Sequence, residues 1–167
     1  MSADAVQLRQ EVFESDAWEI VKWLKDHEVV KYLNEVQNVS NVIEQTIYRV
    51  NIPVLTHLFN RNGKFFMITK REQPIGYMKL VPKGNVTEMV VVIGDKKNWG
   101  KGYGRNAIHQ GLRHAFFEMR HDKVIAKIHI ENERSKRVFK KSGFREETKL
   151  AKEMQYSISM NQFLGLS

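Results

Sequence analysis

The sequence predicts a single α/β (α+β) domain: a mixed, mostly antiparallel sheet with one parallel pair of strands, flanked by helices. Three observations predict it. Apolar segments at 64–70, 75–81 and 86–94 are separated by short turns and read as an antiparallel meander. The glycine-rich stretch "NWGKGYGR" (98–105) then opens a long helical pattern that runs into another apolar strand, so 86–130 is a βαβ crossover whose strands run parallel. Finally, 167 residues with 42% hydrophobic content suit one domain with one core.

The elements follow in order. "VQLRQEVF" (6–13) reads as a first strand. "SDAWEIVKWLKD" (15–26) pairs Asp16 with Glu19 as a capping box and repeats Ile20, Val21 and Leu24 at helical spacing. "NVIEQTIYRVN" (41–51) repeats the device with Asn41 and Glu44, and Pro53 ends it. "REQP" (71–74) and "PKGN" (82–85) are the meander turns. After the glycine loop, Ile108, Leu112, Ala115 and Met119 share one face of a helix at 104–119. A strand at 123–130 follows, then a basic helix at 132–144 closed by Gly143 in a left-handed cap, then a final alternating strand at 153–160.

Composition narrows the function. The chain has no cysteine, which excludes disulfides, thiolate metal sites and a cysteine nucleophile, and nothing in it calls for a metal. It has no stretch of about 20 apolar residues and no apolar core at its start, so the expectation is a cytoplasmic protein without a membrane partner. The net charge of +8 is uneven: residues 1–90 hold 11 Lys+Arg and 11 Asp+Glu, whereas 91–167 hold 16 and 8. The basic half starts at the glycine loop and suits an anionic ligand. In the neutral half, Glu28, Glu35 and Glu44 are the candidates for a local acidic patch.

The loop fails two phosphate motifs. Five residues, not four, separate Gly94 from "GKG", and Gly102 replaces the metal-binding hydroxyl of a P-loop. The spacing G-x-G-x-G is not the dinucleotide G-x-G-x-x-G. What remains is a run of backbone N–H groups at a helix N-terminus, a geometry that receives pyrophosphate.

At this point the residues resemble the GCN5-related N-acetyltransferase (GNAT) superfamily. "WGKGYG" (99–104) fills that family's Gln/Arg-x-x-Gly-x-Gly/Ala slot, with Gly102 and Gly104 matching and Trp99 in place of Gln or Arg. "NERSKRVFKKSGF" (132–144) fits its Asn-x-x-Ser/Ala-x-x-x-Tyr-x-x-x-Gly-Phe, with Phe139 in place of the tyrosine. "WEIVKWLKDHEVVKYL" looks like the first helices of the branch that resembles ribosomal-protein N-terminal, polyamine and aminoglycoside acetyltransferases. The resemblance covers essentially the whole chain.

It implies a GNAT-like fold with the parallel pair splayed in a V around acetyl-CoA, an acceptor-side half at 1–85 and an acetyl-CoA-binding half at 86–167. The pyrophosphate would rest on the N–H groups of Trp99, Gly100, Lys101, Gly102, Tyr103, Gly104 and Arg105. The pantetheine arm would pair with open backbone near Val91, Val92 and Ile93, one of whose N–H groups could stabilise the oxyanion. Asn132 would reach the pantetheine or serve as a plain N-cap, and one or more of Lys136, Arg137, Lys140 and Lys141 would meet the ribose phosphate. Glu88 is the candidate base, with His109 and His129 behind it, and Ser135 is the candidate acid. Acetyl transfer would be direct, from a ternary complex. The acceptor would be an amine on a small molecule or a protein N-terminus, and a homodimer stays open. A non-catalytic acyl-CoA sensor and a basic nucleic-acid-binding module are the other classes in play. Against the second, the basic residues are not interleaved with aromatics in a recognisable RNA motif.

Overall fold

The computed structural model describes residues 5–33 and 39–166. The chain runs β1 (Gln7–Arg9), α1 (Glu14–Leu24), α2 (His27–Val30), α3 (Val39–Val50), α4 (Thr56–Phe59), β2 (Lys64–Lys70), β3 (Gln73–Lys83) and β4 (Val86–Ile93). A 3-10 turn at Lys96–Asn98 precedes α5 (Tyr103–Arg113), whose end widens into a π-type turn at His114–Glu118. Then come β5 (Lys123–His129), α6 (Glu133–Lys141), β6 (Arg145–Lys149), β7 (Glu153–Ser159) and α7 (Met160–Leu164). Among the described residues these strands form one seven-stranded sheet in the order β1-β2-β3-β4-β5-β7-β6. Only β4 and β5 are parallel; every other pair is antiparallel.

The meander follows its sequence pattern, with tighter turns than expected. Lys70 pairs with Gln73, so Arg71 and Glu72 alone make the turn, at φ 49° and 69°. Both angles are positive, as the two-residue turn that matches strand twist requires. The opposite faces of the sheet carry separate cores. Phe66, Met78, Leu80 and Met89 pack with Ile108, Leu112 and Phe116 of the α5 region, whereas Phe65, Met67, Tyr77 and Val92 pack with Ile20 and Trp23 of α1.

Several expectations are corrected. The first strand is only Gln7–Arg9, because the chain then leaves the sheet: Leu55 N–H bonds to Val12 O at 2.7 Å and Phe13 bridges Val54. Helix α1 starts at Glu14, one turn before the expected cap. Asp16 is its third residue and accepts the Phe13 N–H at 2.9 Å, the reverse half of a capping box. Its carboxylate is buried and held by two bonds from the Arg9 guanidinium, at 2.8 and 3.0 Å. Helix α3 begins at Val39, so Asn41 lies inside it. Elements α4, β6 and α7 were not expected. Gly143 ends α6 as expected, at φ 102°, with Phe144 N–H on Phe139 O and Gly143 N–H on Lys140 O, both 3.1 Å.

Candidate active site

The parallel pairing of β4 with β5 lasts three residues. Val86 faces Lys123, Thr87 faces Val124 and Glu88 faces Ile125. Beyond Glu88 the strands part: β4 stays with β3 as far as Ile93, and β5 stays with β7 as far as His129. The result is a V in the middle of the sheet. A cleft of about 330 Å³ lies beside it, walled by Val91–Ile93, the glycine loop and α6. A smaller cavity of about 120 Å³ is lined by Glu88, Lys127 and His129. Tyr32, Val91, Asn132, Ser135 and Phe139 border both, so the two spaces adjoin.

The loop is held from both sides. Asp95 caps the 3-10 turn, and the Trp99 indole N–H donates to Ile93 O at 2.7 Å. Gly100 and Gly102 have φ of 75° and 84°, the left-handed region that L side chains rarely occupy. A Cβ built on either would meet no protein atom within 4 Å; it would project into open space. The first α5 bond is Asn106 N–H to Gly102 O, so the N–H groups of Tyr103, Gly104 and Arg105 precede the intrahelical ladder. Asn106 anchors the helix by accepting the Val6 N–H at 2.9 Å, and the Lys70 ammonium bonds the hydroxyl of buried Tyr103. An open cradle of donors at a helix N-terminus fits a pyrophosphate.

Most of the expected cofactor residues line this cleft: Val91, Val92, Ile93, Trp99, Gly100, Gly102, Tyr103, Gly104, Arg105, Asn132, Arg137 and Lys141. Lys101 is exposed and does not line it. Lys136 and Lys140 do not line it either. The Lys136 ammonium donates to Ile130 O at 2.7 Å and pairs with Glu133 at 2.8 Å, while Lys140 sits 3.6 Å from Glu146. The hydrogen bond and charge of Glu133 raise the Lys136 pKa. Asn132 is the N-cap of α6, accepting the Ser135 N–H at 3.2 Å, and its amide donates to Ser135 Oγ at 3.1 Å. It therefore caps and faces the cleft at once. Phe139 is buried edge-on against Phe144, with ring centroids 5.0 Å apart.

Glu88 ends the paired part of β4. Its Oε1 lies 2.7 Å from the Lys83 ammonium and 3.6 Å from that of Lys127. The Lys83 contact is ionic and lacks the alignment of a hydrogen bond. His129 packs on Tyr32 at 5.0 Å and accepts the Glu131 N–H, while His109 packs on Phe163, away from both cavities. The expected acidic patch is dispersed: Glu44 pairs with Lys25 and Glu28 lies 3.7 Å from Lys96. Glu35 lies outside the described residues.

The sequence reading missed Arg134, Tyr32 and Lys127, and named Glu28 only as part of an acidic patch, whereas it lines the cleft. Arg134 is the most informative. Its guanidinium covers the Trp99 ring inside the cleft, and burial lowers its pKa against the pull of Glu28 and Tyr32. A signal existed, because Arg134, Arg137, Val138 and Lys141 recur at helical spacing and share the face that lines the cleft.

The sequence matches a family model described as an acetyltransferase (GNAT) domain over residues 6–145. No curated protein matches it. Among solved structures, the spermidine N-acetyltransferase of Vibrio cholerae in complex with CoA and spermine is similar at TM-score 0.78 and 18% identity, covering 95% of this chain and 98% of that one. The aminoglycoside acetyltransferase AAC(6')-Ib with an aminoglycoside and acetyl-CoA is similar at TM-score 0.77 and 17% identity, covering 96% of each chain. A GNAT acetyltransferase of Bacillus anthracis gives TM-score 0.75 at 23% identity over 95% and 97%. With most of its length inside the family model, and with the splayed strands and glycine cradle already in place, the chain belongs to the GNAT acetyltransferase family.

Proposed function

We propose that this protein moves an acetyl group from acetyl-CoA directly to a primary amine, on a small molecule or a protein N-terminus. Membership of the family makes it an N-acetyltransferase with acetyl-CoA as donor. The observation that carries the residue assignments is the parting of β4 from β5 after Glu88, beside the open N–H groups of Tyr103–Arg105. That parting leaves β4 backbone without a strand partner on one side, where a peptide-like arm can pair.

Acetyl-CoA supplies an activated thioester. The chain's residues do the rest. The loop N–H groups hold the pyrophosphate, and Arg105, Arg134, Arg137 and Lys141 add positive charge around it. An N–H of the Val91–Ile93 segment polarises the thioester carbonyl. Glu88, directly or through a water, takes the proton the amine must lose before its nitrogen bonds to the acetyl carbon. As the carbon–sulfur bond breaks, Ser135 or water returns a proton to the thiolate. The absence of cysteine suits direct transfer.

The test is release of free CoA thiol from acetyl-CoA across a panel of amines, with the acetylated product identified by mass. Amine-dependent release is expected. A protein that binds CoA but acetylates nothing in a broad panel would be a sensor instead, and one that binds no CoA would overturn the site assignment.

A further inference from the structure

A third cavity, larger than either part of the site above, lies on the α1 side of the sheet. It encloses about 550 Å³ between α3, α4 and strands β2 and β3. That volume is in the range of small-molecule pockets. Its walls are apolar, with Ile43, Ile47, Val50, Leu58 and Phe59 from the helices and Tyr77 from the sheet. Among the described residues its charged lining is all of one sign: Arg49, Arg61, Lys64 and Lys79 border it, and no carboxylate does. Arg49, Arg61 and Lys64 are exposed and form no ion pair among the described residues.

The sheet wall of the cavity ends beside Glu88. Its β3 lining ends at Val81, and Val81 is the cross-strand partner of Glu88. Partners in an antiparallel pair share a face and stand roughly 4.5–5.5 Å apart. Lys83, the next residue on that face of β3, touches Glu88 itself. The groove and Glu88 therefore share one surface.

We infer that the acceptor is an amine with an apolar body and a carboxylate, and not a polycation. The inference rests on the acetyltransferase reading above and names the substrate class of that site. The amine reaches Glu88, the apolar body fills the groove, and the carboxylate meets Arg49 and Arg61 at its rim. A guanidinium receives a carboxylate through paired donors. A polyamine or aminoglycoside would bring several positive charges to a rim that already holds Arg49, Arg61 and Lys64, and like charges brought together reject a ligand.

The experiment compares four acceptors with the full chain and acetyl-CoA: the dipeptide Phe-Leu as free acid, the same dipeptide as its C-terminal amide, spermidine and kanamycin. Thiol release gives kcat/KM for each. The free acid is expected to exceed the amide and both polycations by about tenfold, the scale of one lost charged hydrogen bond. Arg49→Ala and Arg61→Ala should shrink the preference for acid over amide, and exposure of both residues makes loss of folding a poor explanation. Faster turnover of spermidine or kanamycin would overturn the inference and leave the acetyltransferase reading standing. An unchanged preference in both variants would also overturn it. If no acceptor turns over, calorimetry of the free acid on the CoA-loaded protein decides: salt-sensitive binding that Arg61→Ala weakens supports the inference, and no binding overturns it. Failure to bind CoA counts only against the site reading.

Discussion

The guanidinium carbon of Arg134 lies 3.4 Å from the centroid of the Trp99 indole ring. The indole N–H is fixed on Ile93 O, so the ring is a rigid platform that joins the end of β4 to the first turn of α6. A flat guanidinium stacks on such a ring and keeps its edge donors for an anion; an ammonium does not. Arg134→Ala should weaken CoA binding by about tenfold, and Arg134→Lys should recover only part of that. Calorimetry checks both. Quenching of Trp99 fluorescence by CoA should persist in Arg134→Lys.

The two helix-entry glycines separate strain from obstruction. Gly102 has φ 84°, so Gly102→Val should cost about 1–2 kcal/mol of stability as well as CoA affinity. Gly104 is helical, and a Cβ there would rest 3.6 Å from Val138 Cγ1, an ordinary contact. Gly104→Ala should therefore keep its melting temperature while CoA affinity falls. Equal CoA affinity in a folded Gly104→Ala protein would move the pyrophosphate off this loop.

Glu88→Gln should reduce turnover more than acetyl-CoA affinity. The loss should shrink as pH rises, because the amine then sheds its proton unaided. A loss that stays constant from neutral pH to about pH 9.5 would assign Glu88 to orienting the acceptor.

Phe139 is buried against Phe144 and offers no proton, so Phe139→Tyr should leave turnover within about twofold. Ser135 borders both cavities and holds the Asn132 amide. Ser135→Ala should lower turnover by something like the ~10²-fold of one acid–base partner. A fully active Ser135→Ala protein would pass the role to water.

His114 sits edge-on to Phe66, with its Nε2 buried and without a partner among the described residues. Burial pushes its pKa down, with Glu118 opposing and Lys64 assisting. A histidine lowered in this way binds its proton more readily in the unfolded chain. Its contribution to stability is complete above about pH 6.5 and is lost as pH falls below it. His114→Phe should flatten the stability profile just below pH 6.5, measured by urea unfolding at several pH values.

The fold was legible where side chains alternate or recur against a core. The meander and the α5 crossover carry that pattern, and so they matched. Strand β6, "REETK", is exposed at every residue and owes its place to pairing with β7, which no periodicity reports. Helices α2 and α4 have four residues each, too few for a helical repeat. Helix α7 did carry a readable signal, the Ser159 and Gln162 capping box. In the site, the loop was legible because glycine at positive φ is a local requirement. The sorting of α6 cations was not. Lys136 is drawn to Ile130 O, and Lys140 stands beside Glu146 in β6, contacts that exist only once the chain has folded. Arg134 was recoverable from the helical face it shares with Arg137.

The brief β4–β5 pairing also divides the molecule's resistance to opening. Past Glu88 and Ile125, β1–β4 and β5–β7 are separate hydrogen-bonded ribbons among the described residues, tied by three facing residue pairs, the Glu88–Lys127 ion pair and the core packed against the helix that crosses between them. Parting along that seam sacrifices few bonds, so amide exchange should report two cooperative units where one sheet is drawn. A molecule wedged into the seam and bonded to both ribbons would act as a temporary eighth strand. It would fuse the two units and slow exchange well beyond the atoms it touches. The enzyme would then be least cohesive between turnovers and most cohesive with its donor in place.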